Sequence, residues 1–312
     1  MSAPASHDPL PPGQLVAVFG PTGVGKTSVA LALAEQLRAQ GGDAVAVSAD
    51  AFQVYRGLEI LSGAPTDAEQ ARLEHRLVSC VSLQERFSAG QFASLAHAAI
   101  DEILASGRVP IVVGGTGLYL RAALTTLELR PELPAAVRER WATRLYSEGP
   151  NALHAELARA AAWAAAPIDP ADGHRIVRAL GLLETGELRE PTGENALWTA
   201  ATRQPTRLIG LVREREELYV RIDARVDAMV ASGAAAEVAV ADVGGASETA
   251  RKAIGFRHLL AGDVEGMKRD TRRFAKRQLT WMRKLAGVQM VEIDDRDPAS
   301  VAAEVLGKTL AP

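Results

Sequence analysis

The residues Gly20-Pro21-Thr22-Gly23-Val24-Gly25-Lys26-Thr27 set turn-permitting positions, a cation and a hydroxyl in the order that phosphate chemistry requires. Glycines let backbone N–H groups turn inward around phosphate oxygens, Lys26 supplies positive charge, and the Thr27 hydroxyl can ligate Mg2+. An apolar run, Leu15–Phe19, precedes the loop and helical sequence follows from Ser28. That strand–loop–helix context gives the motif its specificity. The spacing predicts a phosphate site and leaves open whether the phosphates belong to ATP, another nucleotide or a pyrophosphate leaving group.

A second apolar run, Ala44–Ser48, ends beside Asp50, which the sequence therefore predicts at the carboxyl edge of a sheet. A carboxylate there could hold Mg2+ through water, act as a general base, or cap the following turn. The continuation Phe52-Gln53-Val54-Tyr55-Arg56-Gly57 offers aromatic and amide groups suited to a flat ligand. Further on, Gly114-Gly115-Thr116-Gly117 follows another strand-like run. A shared cleft and tight strand-to-helix packing both account for those glycines.

The third feature is charge. The chain carries a formal net charge of −3, yet from Lys268 to Lys284 there are eight Lys or Arg and one acid, Asp270. On a helix Arg269, Arg273 and Arg277 share a ridge with Arg272 and Lys276 beside it, while Leu279 and Met282 can face the core and Trp281 reads as a core anchor or a base-stacking platform. So few interspersed acids predict a polyanion partner, either substrate phosphates or a nucleic-acid backbone. The histidines are scattered without paired spacing, which argues against zinc; His75 and His174 stand beside arginines that could meet phosphates.

The elements that must position these groups follow from periodicity. Apolar runs at 15–19, 44–48, 76–81 and 109–113 alternate with helical patterns at 26–40 and 89–106, indicating βαβ units and a parallel sheet. Alanine-rich helical sequence at 134–149, 151–166 and 170–185 reads as an α-helical insertion over 131–205. Strand character resumes at 206–212, helices follow at 216–232, 234–243 and 266–285, and a last strand is predicted at 288–293. The expected class is α/β, a P-loop NTPase-like parallel sheet flanked by helices, with core segments 15–130 and 206–312. Residues 1–14, rich in proline, read as a disordered tail. Cys80 is the single cysteine, read as a small buried apolar residue. With no internal disulfide, no leader and no apolar run near ~18 residues, the expectation is a cytosolic protein without membrane association.

Taken together the segments resemble the tRNA dimethylallyltransferase family, the isopentenyl transferases that modify the adenosine 3′ of the anticodon. The matching pieces are Gly20–Thr27, Asp50–Gly57, Glu74–Leu77, Phe87–Phe92, Gly114–Tyr119, Arg175–Leu180, Ile254–Phe256 and Ala275–Trp281, in the family's order. The resemblance implies that the phosphate loop, Gly20 to Thr27, holds the diphosphate of dimethylallyl diphosphate, with Mg2+ on Thr27. It implies Asp50 as the general base toward adenine N6, with Thr116 near the reacting groups. It implies RNA contacts from Ala51, Phe52, Gln53, His174, Arg175, Arg178, Lys252, Arg257, Lys276, Arg277, Gln278 and Arg283, some of which could instead meet the diphosphate. The target base would be extruded from the anticodon loop, the helical insertion would grip the anticodon stem-loop, and the protein would act as a monomer.

The sequence departs from the family pattern at Ala51, where serine is common, at Leu61-Ser-Gly-Ala-Pro65, which lacks the usual lysine, and at Val78-Ser79-Cys80. A small-molecule or nucleotide kinase, a nucleic-acid-binding module without chemistry, and a prenyltransferase for free AMP-type acceptors are the alternatives. No arginine-rich lid supports the kinase, and the basic helix exceeds what a small substrate needs.

Overall fold

The computed structural model describes residues 13–190 and 196–307. Most of the predicted tail, residues 1–12, lies outside that range; Gly13 forms a turn and Gln14 is buried. Two compact units divide the chain, one from residues up to 127 and from 196 onward, the other from 128–195.

The first unit begins with β1 (Leu15–Phe19), α1 (Lys26–Ala39) and β2 (Ala44–Ser48). Short helices α2 (Glu59–Ser62) and α3 (Asp67–Arg72) lead to β3 (Glu74–Arg76), then α4 (Ala89–Ala105), β4 (Val109–Gly114) and α5 (Gly117–Leu124). The second unit holds α6 (Ala135–Glu148), α7 (Pro150–Ala160), α8 (Ala162–Ala165) and α9 (Gly173–Glu184). The chain returns to the first unit through β5 (Thr206–Val212), α10 (Arg215–Ala231), α11 (Ala234–Val243), α12 (Phe256–Leu260), α13 (Val264–Met282), β6 (Gln289–Glu292) and α14 (Pro298–Gly307).

The six strands form one parallel sheet in the order β3-β2-β4-β1-β5-β6. Right-handed crossovers force helices onto both faces of such a sheet, so its strands are apolar on both sides. β1 shows this directly: Leu15, Ala17 and Phe19 join one core layer, Val16 and Val18 the other. This is the α/β, P-loop NTPase-like class expected from the sequence.

Register decides which loops meet. Phe19 stands opposite Gly114 on one side and Gly210 on the other, and Ser48 stands opposite Val113. The residues that follow, Gly20, Asp50 and Gly115, therefore emerge together at the carboxyl edge, where parallel sheets gather ligand-binding loops.

Four local expectations change. The strand predicted at 76–81 is Glu74–Arg76 instead, because Leu77 (φ 61°) and Ser79 (φ 48°) turn left-handed and end the extended run. That reversal leaves Cys80 exposed and not buried. The helix predicted at 151–166 is broken at Ala161 (φ −151°, ψ 76°) into α7 and α8. Residues 196–205, read as part of the insertion, pack with the first unit: Arg121 Nη2 donates to the Ala196 and Ala201 carbonyls, and Arg203 N–H to Leu124 O. The second unit has its own core, with Trp141, Leu153, Leu157, Ile176 and Leu180 buried together.

Candidate active site

The phosphate loop turns through Gly23 (φ 78°) and Gly25 (φ 112°), left-handed positions that glycine adopts without strain. Gly25 is the N-cap of α1, so the first N–H groups of that helix point into the loop. Lys26 Nζ donates to the Gly20 and Pro21 carbonyls at 3.0 and 2.9 Å. Burial pushes its pKa from the ordinary 10.5 down to about 8; the nearby Asp50 carboxylate opposes that fall and Arg225 adds to it.

Asp50 follows β2 at the same edge. Its Oδ1 accepts from Phe52 N–H at 2.9 Å and from Gln53 N–H at 3.4 Å, so the carboxylate caps its own turn. Among the described residues no hydrogen bond is made to Oδ2, and capping leaves one oxygen available for chemistry. The turn is braced from outside: Ser79 N–H donates to Gln53 O, and Val81 N–H to Val54 O, both at 2.8 Å. The Gln53 amide is itself engaged, accepting from Ser48 Oγ at 2.8 Å and donating to Gly63 O at 3.1 Å.

These groups line one cleft of about 510 Å³, formed wholly by the first unit. Its polar lining includes Thr22, Lys26, Thr27, Asp50, Gln53 and Gln278. Apolar side chains join them in the lining: Leu61, Val226, Met229, Ile254, Met267 and Phe274. A lining that mixes cationic and polar groups with apolar side chains fits an amphiphilic ligand with an anionic head and a short hydrocarbon tail.

α10 contributes what the sequence reading missed. Arg225 lines the cleft and donates to Gly63 O at 3.3 Å; a Cβ on Gly63 would lie 1.7 Å from Arg225 Nη2, so only glycine admits that approach. Burial lowers the Arg225 pKa, while the Asp50 and Glu69 carboxylates favour its charge. Arg221 Nε donates to Gly23 O at 3.0 Å. The signal available was the i,i+4 spacing of Arg221 and Arg225, which puts two cations on one helical ridge. Glu237 from α11 accepts from Ile60 N–H and Leu61 N–H, both at 2.8 Å, fixing α2, whose Leu61 lines the cleft.

Gly114, the last residue of β4, and Gly117, the first of α5, serve close packing. A Cβ on Gly114 would meet Ala49 O at 2.4 Å, and one on Gly117 would meet Trp281 at 1.9 Å. Thr116 is the N-cap of α5 without a side-chain cap bond; it does not line the cleft. Trp281 packs against the core and the Trp198 ring, centroids 4.6 Å apart.

α13 is less bare of acids than its sequence suggests. Arg272 pairs with Asp223 at 2.6 Å and Lys268 with Asp227 at 2.7 Å, both acids from α10; Arg273 pairs with Asp270, and Arg269 reaches Asp263 at 3.7 Å. Lys276, Arg277 and Arg283 are exposed, and among the described residues they form no ion pair. Arg257 is likewise exposed, whereas Lys252 approaches Glu248 at 3.8 Å. Ala51 and Phe52 are partly buried, Phe52 lining the cleft. In the second unit His174 and Arg175 are exposed, while Arg178 donates to the carbonyls of Arg130 and Pro131, both at 2.9 Å.

The family model described as IPP transferase matches residues 53–285. A tRNA dimethylallyltransferase of Kineococcus radiotolerans is 40% identical over 305 residues, covering 94% of this chain and 95% of the relative. One from a Bradyrhizobium species is 42% identical over 286 residues, covering 86% and 90%. The crystal structure of a tRNA isopentenylpyrophosphate transferase from Bacillus halodurans superposes with a TM-score of 0.67 at 33% identity, covering 94% of each chain. With matches of this length and identity across both units, the chain belongs to the tRNA dimethylallyltransferase family.

Proposed function

We propose that the cleft transfers the dimethylallyl group of dimethylallyl diphosphate to N6 of the tRNA adenosine 3′-adjacent to the anticodon, releasing diphosphate. The observation that carries this reading is the joining, in one cleft, of a phosphate loop, a half-free carboxylate at Asp50 and apolar lining residues. The N6 lone pair forms a bond to the allylic C1 as the C1–O bond breaks, its electrons leaving with the diphosphate. Asp50 takes the N6 proton. Lys26, Arg225 and the loop N–H groups hold the charge that grows on the leaving group, where prearranged dipoles act most strongly.

Mg2+ fits this donor set. The Thr27 hydroxyl lines the cleft beside the phosphate loop, with the free oxygen of Asp50 kept for the proton, and among the described residues no cluster of three acidic, His or Cys side chains could cage an ion. A hard cation held by one or two protein oxygens, water and substrate phosphates is the usual arrangement for magnesium. When bound it would add positive charge at the diphosphate.

The adenosine must leave the base stack to enter the cleft, since N6 is otherwise inaccessible. Lys276, Arg277, Arg283, Lys252 and Arg257 are proposed to meet RNA phosphates, and the helical unit, through His174 and Arg175, the anticodon stem. We read the protein as a cytoplasmic monomer; no helix among the described residues is long and apolar enough to cross a membrane. Nucleoside mass spectrometry tests the reaction, using unmodified tRNA, Mg2+ and either dimethylallyl diphosphate or ATP. N6-isopentenyladenosine formed only with the diphosphate is the expected result; phosphoryl transfer from ATP without prenylation would refute it.

A further inference from the structure

Gln278 is grouped by family resemblance with the RNA-facing residues of α13, but its surroundings differ from theirs. It is 5% exposed, whereas the adjoining Lys276 and Arg277 face solvent. A helix turns about 100° per residue, which separates these side chains onto different faces.

The Gln278 amide closes a bridge. Its Oε1 accepts from Thr22 N–H at 2.9 Å, within the phosphate loop, and its Nε2 donates to Gly115 O at 2.8 Å, in the turn after β4. The partners fix the amide orientation: an N–H must meet the oxygen, and a carbonyl must meet the NH2. Gly115 is where everything converges. A Cβ there would lie 2.3 Å from Gln278 Nε2, 3.0 Å from Gly20 O and 3.3 Å from Lys26 Nζ.

We propose that Gln278 is a positioning residue for the diphosphate, acting through the phosphate loop, and not a contact to RNA. The proposal rests on reading that loop as the diphosphate site. By holding Thr22 N–H against the β4–α5 turn, the amide sets the loop's curvature between Gly20 and Gly25 before an anion arrives. A preformed loop loses less ordering entropy on binding, so affinity for the anion rises.

The test is calorimetric titration of inorganic pyrophosphate with Mg2+ into the full chain, alongside tRNA binding and steady-state kinetics. Gln278→Met keeps the volume and removes both hydrogen bonds; it should weaken pyrophosphate binding about tenfold and raise the donor KM similarly. Gln278→Glu keeps the acceptor but sets a carboxylate near Lys26, and should weaken it about a hundredfold at low salt. Both should leave tRNA affinity within about twofold, a split that a general folding defect or an RNA contact would not produce. Gln278→Asn keeps the amide but is one methylene too short to reach both Thr22 N–H and Gly115 O, and should weaken pyrophosphate binding likewise, which keeps the test decisive if the methionine variant does not fold. Wild-type binding of pyrophosphate with no loss in Gln278→Met, or loss of tRNA affinity alone, would overturn the assignment. Failure of the wild type to bind pyrophosphate would overturn the diphosphate reading itself, and with it this inference.

Discussion

Lys26 should cost the folded protein stability at neutral pH, and the cost can be titrated. Its pKa falls from 10.5 in the unfolded chain to about 8 in the native state, with burial the chief cause. That gap corresponds to about 3 kcal/mol. Below pH 8 both states hold the proton, and the native state carries the whole penalty. Between 8 and 10.5 the unfolded chain binds more protons than the native one, so stability rises with pH. Above 10.5 the penalty is gone. Lys26→Met removes the titration and also the two hydrogen bonds to Gly20 O and Pro21 O, worth about 1 kcal/mol each. The variant should therefore be more stable than wild type by about 1 kcal/mol at pH 7 and less stable by about 2 above pH 10.5. Urea unfolding of both proteins from about pH 6.5 to about 11.5 reads the difference, in which the other titrating groups cancel. The same variant should lose pyrophosphate binding. A wild-type-minus-variant difference that stays flat with pH would refute the reasoning, since the lysine would then be as well solvated folded as unfolded.

Asp50→Asn keeps Oδ1 as an acceptor for the Phe52 N–H, so the turn should survive while turnover falls about 10²- to 10⁴-fold; single-turnover prenylation at the wild-type rate would remove Asp50 as the base. Replacing Lys276 and Arg277 together with alanine should weaken tRNA binding and lower the slope of log K against log salt by about 1.5, as released counterions are lost. An unchanged slope in a salt-series binding assay would assign both residues elsewhere. Gly117→Ala drives a methyl toward Trp281, which a Cβ would meet at 1.9 Å, and should cost about 1–3 kcal/mol in denaturant unfolding. Arg225→Met should raise the donor KM at least about tenfold by removing a partly desolvated charged hydrogen-bond donor from the cleft; donor kinetics indistinguishable from wild type would show that the arginine serves packing alone.

The sequence by itself determined what depends on neighbours along the chain. The phosphate loop was legible because its glycines, Lys26 and Thr27 lie within one turn and need only a strand before and a helix after. β5 at Thr206–Val212 and α11 at Ala234–Val243 were legible because apolar periodicity is local, as was the alanine-rich helical segment. Asp50 was legible in position but not in role: the pattern allowed a cap or a base, and the capping bonds to Oδ1 are compatible with both.

Tertiary structure decided what depends on register and on charges arriving from elsewhere. The run of cations on α13 suggested a surface bare of acids, yet Asp223 and Asp227 come from α10, and Coulomb pairing across two helices has no linear signature. Arg225 enters the cleft because Gly63, far away in sequence, leaves room for it. Gln278 turns inward because Gly115 and Thr22 present a carbonyl and an N–H within reach of one amide. Patterns of residue type specify which face of an element is buried, whereas the partner waiting there is set by strand order and helix packing, which bring distant segments within hydrogen-bonding range.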